Sequence, residues 1–479
     1  MGTKMGFGRW ALASAAIILI ASGAAEARVI DPTGVTTQEP AAITLFPKLK
    51  VDLNTCLGNW DGTGFCSLTP ETPCVDNDDC LGQGAAVDTI VQLTNTSEFL
   101  TEVFCFYTNT NSHCSNSPET ICTDADFREQ CPPGGQCLPG WVETDFRLRL
   151  TKRQPISWSV NSGLSSLPLA NMPGQGTPPQ FNDGSIPPAP EVPFTGELLC
   201  IELDTGTGQP SDRNDYKGEA TTITSILDNI DANKYNAIGI KAIEGRQIEP
   251  ANVLNIGGPD AEYGVFNETV DPPRFGGCPN VLTLNHFFDG ANVLTHEREV
   301  QGTVNSELTV VPCERDYLNQ TANGLFTTIQ FLIFNEFEQR FSASTKVNCY
   351  KETQLSDIDT IPGPSGNATS IFSAGVQGTL TGMSRLRSVA GPNVDGYDGR
   401  TILAVLNEHW AAGVCGAEPG QEGEGRQPRP ELSLCATDAD CEALGVGGIC
   451  QNPFVKTTAA NVQFQGSRLQ GDRITIPNP

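Results

Sequence analysis

The chain has 479 residues, with 29 Lys and Arg against 56 Asp and Glu, a formal net charge of −27 and 17 cysteines. So acidic a chain repels nucleic-acid phosphates and anionic lipid surfaces, which excludes nucleic acid as an expected partner. Cysteine at this frequency with no C-x2-C pair points to disulfides in an oxidising compartment rather than to structural zinc.

In chain order, residues 1–27 join basic Lys4 and Arg9 to the apolar run ALASAAIILIA and end in Ala25-Glu26-Ala27. This is the pattern of a secretory signal peptide cleaved before Arg28. The apolar run is too short to span a bilayer comfortably, and neither a lipidation cysteine nor a hydrophobic C-terminal tail accompanies it. The expectation is a secreted protein, extracellular or periplasmic, with no membrane span once the signal is removed.

A flexible segment, 28–41, leads to a first predicted domain over 42–262. ITLFPKLKVDLNTC (43–56) alternates apolar and polar residues as a half-buried strand does. A cysteine loop at 66–84 breaks the alternation. Residues 88–107, DTIVQLTNTSEFLTEVFCFY, read as a hairpin, and a second cysteine loop spans 114–137. WVETDFRLRL resumes strict alternation, with Phe146, Leu148 and Leu150 on one side and Arg147 and Arg149 on the other. Residues 162–194, rich in Pro, Gly and Ser, predict a surface excursion. GELLCIELD, KGEATTITSIL and YNAIGIKAI predict three more strands, and TSILDNIDANKY a short helical turn.

Residues 263–305 read as a bridge. Its apolar Val281, Leu282, Leu284, Phe287 and Phe288 are expected in the first core or at an interface. A second domain, 306–479, repeats the order of the first. TTIQFLIFNEFEQRFSASTKVNCY (327–350) echoes 88–107, each with an Asn (Asn95, Asn335) at the turn; TGMSRLRSV and GRTILAVLNEHW follow, then a cysteine loop at 415–450. With no long amphipathic helix pattern outside the signal, the fold class expected is mostly β. It comprises two tandem immunoglobulin-like β-sandwich domains with disulfide-stapled loop insertions. If the halves are copies, Cys56 pairs with Cys105 and Cys313 with Cys349. Cys200 then faces Cys278, the loops at 114–137 and 415–450 pair internally, and one of Cys66, Cys74 and Cys80 is left over.

The spacing C-x2-D-x-D-C followed by G-x2-C, complete at Cys435, Cys441 and Cys450 and altered at Cys122 to Cys137 and Cys74 to Cys80, resembles the cysteine-rich repeats of secreted and surface proteins of environmental bacteria. The resemblance covers under a sixth of the chain and implies an extracellular setting and no chemistry.

Carboxylates crowd these loops at Asp76, Asp78, Asp124, Asp126, Asp438 and Asp440, a supply of hard oxygen ligands that suits calcium. The competing reading has each Asp capping its own turn. The four histidines are His113, His286, His296 and His409. His296-Glu297 opens a zinc-protease signature, but position 300 is Val, so the second ligand is missing. No G-x-S-x-G, G-x-G-x-x-G or P-loop occurs, so no catalytic residue is assigned and no cofactor beyond calcium is considered. Trp158 is expected in the core. The leading function is a secreted or cell-surface structural and binding protein of adhesion type, whose partner is a surface protein, a matrix or a glycan. One alternative is a calcium-dependent binding module. The other is an exported hydrolase acting on polysaccharide or protein, recognisable by an open pocket holding His286, Asp289 and Glu297.

Overall fold

The alternating runs rich in Thr, Val and Ile form strands because branched side chains fit a pleated surface with one face buried. The computed structural model describes residues 34–54, 56–58, 64–66, 73–74, 80, 86–122, 131–138, 140–163, 186–226, 229–243, 253–256, 275–279, 281–295, 300–318, 326–359, 361–362, 368–389, 401–416, 434–435, 449–465 and 472–477. Strands dominate these segments, and their helices amount to one turn at Ala374–Gln377 and a 3-10 turn at Leu355–Asp357. None is long and apolar enough to cross a membrane.

The first nine main strands are β1 (Ile43–Val51), β2 (Ala86–Asn95), β3 (Thr101–Asn109), β4 (Val142–Leu150), β5 (Pro155–Ser159), β6 (Phe194–Leu203), β7 (Tyr216–Ile226), β8 (Asn229–Asn236) and β9 (Ile238–Ile240). One sheet runs Val35–Thr36, β9, β1, β6, β3, β4 and the other β5, β2, β7, β8. Phe46 and Leu198 of the first sheet share a core with Val91, Trp158 and Ala220 of the second. Gly218 on β7 permits the close approach, since a Cβ there would lie 2.3 Å from the Phe46 ring. Trp158 is fully buried and its indole N–H donates to Tyr107 Oη at 2.6 Å, so the core assignment of this residue holds.

The second set comprises β10 (Val281–Phe287), β11 (Ala291–Thr295), β12 (Val300–Pro312), β13 (Phe326–Asn335), β14 (Arg340–Asn348), β15 (Lys351–Gln354), β16 (Thr381–Val389), β17 (Ile402–Gly416), β18 (Ile449–Asn461) and β19 (Gln463–Gln465). Its sheets are β14, β13, β16, β10, β19 and β11, β12, β17, with β15 on β12 and β18 on β17. The fold is therefore mostly β, built as two sandwich-like pairs of antiparallel sheets.

Three expectations change. Leu282, Leu284 and Phe288, read as bridge residues belonging to the first core or to an interface, lie in the core of the second sandwich, because β10 pairs with β16 and β19. TSILDNIDANKY is the hairpin of β7 and β8 rather than helix. The echo of 88–107 in 327–350 is a hairpin only in its second occurrence: β13 pairs with β14, whereas β2 pairs with β5 and β7 and β3 crosses to the opposite sheet, between β4 and β6. What the two stretches share is the turn. Asn95 Oδ1 accepts the Ser97 N–H at 2.9 Å and Asn335 Oδ1 the Phe337 N–H at 3.0 Å, the same side-chain turn at the same point.

The disulfides also differ from the duplication argument. Cys105 pairs with Cys200, its direct cross-strand neighbour on β6, with Cα atoms 4.0 Å apart. Cys56 pairs with Cys74, and Cys66 with Cys80. Cys313 pairs with Cys278, and Cys349 is a buried thiol. The expected pairs Cys56–Cys105, Cys313–Cys349 and Cys200–Cys278 are thus replaced, because β3 has β6 beside it while Cys56 has moved past the end of β1 into a small sheet of its own. The internal pairing expected at 114–137 is present as Cys114–Cys131 and Cys122–Cys137.

Residues 32–479 form one compact unit. Val311, Tyr317, Leu403, Val405 and Ile474 from the second half enter the core of the first sandwich. Tyr317 stacks between Phe106 (centroids 4.5 Å) and Trp141 (5.9 Å). Asp472–Thr475, near the C-terminus, pairs with Val253–Ile256 and, in parallel, with Arg315–Asp316.

Candidate functional site

The second sandwich holds a group that resembles catalytic machinery. β10 and β16 run antiparallel, and from them His286 Nε2 and Ser384 Oγ meet at 2.9 Å. His286 Nδ1 lies 3.0 Å from the Phe287 carbonyl oxygen, which accepts its proton and leaves Nε2 to accept from the serine hydroxyl. A base oriented by an acceptor and bonded to a hydroxyl is the arrangement that activates a nucleophile.

Its surroundings remove that use. His286 is 2% exposed and Ser384 0%. The imidazole meets Phe288 edge-on at 5.2 Å and Phe372 at 5.8 Å. Gly382 opens the space, for a Cβ there would lie 2.6 Å from Phe288 and 3.2 Å from His286 Cε1. Burial pulls the imidazole down to about 4, the Phe287 carbonyl opposing, so the ring is neutral near pH 7. Asp289 turns elsewhere: its carboxylate accepts the Ser306 N–H at 2.6 Å and the Ser356 N–H at 2.8 Å and ties those segments together. Glu297 and His296 lie outside the described residues. Within the described part, the expected pocket is a filled core with its polar atoms satisfied.

The stapled loops have a common build. Three short strands, Cys56–Gly58, Gly64–Cys66 and Pro73–Cys74, make one miniature sheet, and Ser112–Cys114, Ser117–Cys122 and Cys137–Leu138 make another. In both, the first cysteine pairs with the third and the second with the fourth. The sulfurs crowd to within 4.8 Å because the two disulfides pack on each other as a minimal core. The 66–84 loop therefore has its full set of four, with Cys56 as the first. Glu191 clasps the second loop to the sandwich: Oε1 accepts from Asn109 Nδ2 and Asn111 Nδ2, both at 2.6 Å, and Oε2 lies 3.0 Å from His113 Nε2. In the third loop Cys415 stands opposite Cys450 in the β17–β18 register, and Cys435 opposite Gly413. The calcium candidates Asp76, Asp78, Asp124, Asp126, Asp438 and Asp440, and Cys441, lie outside the described residues.

Sequence reasoning missed a charged seam where the sandwiches meet. Lys48 on β1 is ion-paired with Glu307 on β12 and lies 3.4 Å from Glu352 on β15. Burial works against the Glu352 charge, and Lys48 and then Lys50 outweigh it, holding the carboxyl down to about 2. His409 Nε2 lies 3.7 Å from Glu307, and burial with the Lys48 charge pulls this ring down to about 4. Deeper in, Arg315 makes a two-pronged pair with Glu197 on β6, at 2.6 and 2.7 Å, and donates to the Glu314 carbonyl at 2.8 Å. Burial disfavours the guanidinium charge, and Glu197 more than restores it. The available signal was a charge inside an otherwise apolar strand, as in GELLCIEL and ITLFPKLKV.

Six disulfides among the described residues mark a chain that folds in an oxidising compartment outside the cytoplasm. No protein-family model and no curated protein matches the chain.

Proposed function

We propose that this is an exported, non-catalytic binding protein, with residues 1–27 as its leader and its two sandwiches as a stiff frame for recognition. The observation that carries the reading is the sealed His286–Ser384 pair: the best-formed nucleophile and base among the described residues sit where no substrate arrives. The frame supports it as well. Loops held by two disulfides each, the second of them clasped by Glu191, present a surface at little entropic cost on binding, which suits contact with a matrix, a glycan or a surface protein.

The test is a turnover assay with polysaccharide and protein substrates, read by new reducing ends and new amines, on the wild type and on Ser384→Ala. Turnover by neither is the expected result. Turnover by the wild type that Ser384→Ala abolishes would overturn the reading in favour of a hydrolase.

A further inference from the structure

We infer that the outer face of the sheet β14, β13, β16, β10 binds an acidic polysaccharide, a chain of sugars bearing carboxylates. The inference rests on the binding reading above and names the ligand class and the surface.

Side chains alternate across this sheet. Ile329, Phe331 and Ile333 point into the core, so Gln330 and Leu332 point out, and with them exposed Arg385 and Arg387 on β16 and exposed Arg340 and Lys346 on β14. The register sets these in rows. Ser342, Leu332, Arg385 and Thr283 stand side by side in one, and Ser344, Gln330 and Arg387 in the next. Arg340 stands opposite Phe334, and Lys346 opposite Thr328. Basic side chains thus flank β13 on both sides, about 9 to 10 Å apart across two strand spacings. Between them lies a cavity of about 630 Å³ whose lining includes Gln330, Leu332, Ser342, Ser344, Arg385 and Arg387, and also Asp359.

Two facts separate this patch from ordinary surface charge. In a chain with almost twice as many acids as bases, no ion pair among the described residues includes Arg340, Lys346, Arg385 or Arg387. Arg387 donates instead to Gln330 Oε1, at 3.2 Å from Nε and 3.0 Å from Nη2, which holds its fork level over the sheet. Second, the basic residues on β14 have a ready explanation, because charge on an edge strand discourages pairing with another chain. Arg385 and Arg387 have none of this kind, since β16 is an interior strand between β13 and β10.

Guanidinium forks match carboxylates in two-pronged geometry, and the amide and hydroxyls of Gln330, Ser342 and Ser344 match sugar hydroxyls. The large apolar residues on its wall are the half-buried Val281 and Leu332 and the core residues Phe331 and Leu386, so no exposed aromatic anchor of the kind that dominates protein interfaces stands in the cavity. Screening over about 8 Å at physiological salt limits the opposing acids to those nearest the patch, Asp359 on the cavity wall among them.

The experiment measures retention of the full chain on polygalacturonate, on its methyl-esterified neutral form, and on poly-glutamate and single-stranded DNA. The expected result is preference for polygalacturonate, weakened by salt, and a loss of roughly tenfold or more in Arg385→Gln/Arg387→Gln. Arg147→Gln/Arg149→Gln, the same charge change on the first sandwich, leaves retention intact. Should the first variant unfold, Ser344→Trp fills the cavity and gives the same loss. Equal retention by both double variants, or tighter retention of poly-glutamate or DNA, would overturn the inference. Retention of a neutral glycan or a protein, unchanged by Arg385→Gln/Arg387→Gln, would overturn it while leaving the binding reading intact.

Discussion

At the scale of single residues, burial decides what a titratable group can do. Glu202 on β6 has a fully buried side chain, and its Oε2 accepts the Asp215 N–H at 3.0 Å. Burial, and after it the charge of Asp215, pushes its carboxyl up to about 8. The folded chain therefore keeps a proton that the unfolded chain has lost, so this stabilisation is complete below about pH 4.5 and disappears as pH rises through 8. His286 and His409, held down to about 4, act in the opposite sense, but only below the ordinary histidine value of 6.5. Between pH 6.5 and 8 Glu202 contributes a falling slope, in the same sense as Glu197, Asp88, Asp289 and Glu408, whose carboxyls burial also raises. The Glu202 share of the fall in urea stability over that interval should be about 2 kcal/mol, and Glu202→Gln should remove that share from the profile. Asn335 is a second case. Its Nδ2 donates to Gln339 and Gln377 and its Oδ1 accepts two backbone N–H groups, so Asn335→Ala should cost about 1 to 3 kcal/mol in the same assay.

At the scale of elements, strands were legible and their partners were not. WVETDFRLRL gave its burial pattern outright, with Phe146, Leu148 and Leu150 inside, because period-two alternation is a local property. The turn asparagines were also legible as a repeated feature. What could not be read was that β2 and β3, joined by one such turn, enter opposite sheets, since a turn fixes direction and the core decides the partner. The cysteines failed for the same reason: Cys105 finds Cys200 across a strand pair formed by residues 95 positions apart. Replacing both with serine should cost about 2 to 5 kcal/mol while digestion without reduction still yields the linked peptides Cys114–Cys131 and Cys122–Cys137. His286 in β10 is a satisfied strand residue, and Lys48 and Arg315 were missed because their partners lie 259 and 118 residues away.

At the scale of the molecule, the buried pair of Arg315 and Glu197 joins the halves. Arg315→Met should lower stability by about 3 to 5 kcal/mol, since it leaves a lone buried carboxylate, and the double variant Arg315→Met/Glu197→Leu should recover most of the loss. Unfolding monitored by intrinsic fluorescence should be a single transition in the wild type, because Tyr317 and Ile474 from one half sit in the core of the other. The proposed function has this body hold rather than cut, and a quartz microbalance coated with a polyuronate film reads both behaviours at once. On addition of the protein the film should gain mass and keep it through a low-salt wash; a film mass falling below its starting value would mean that the chain degrades what it touches and would contradict the account.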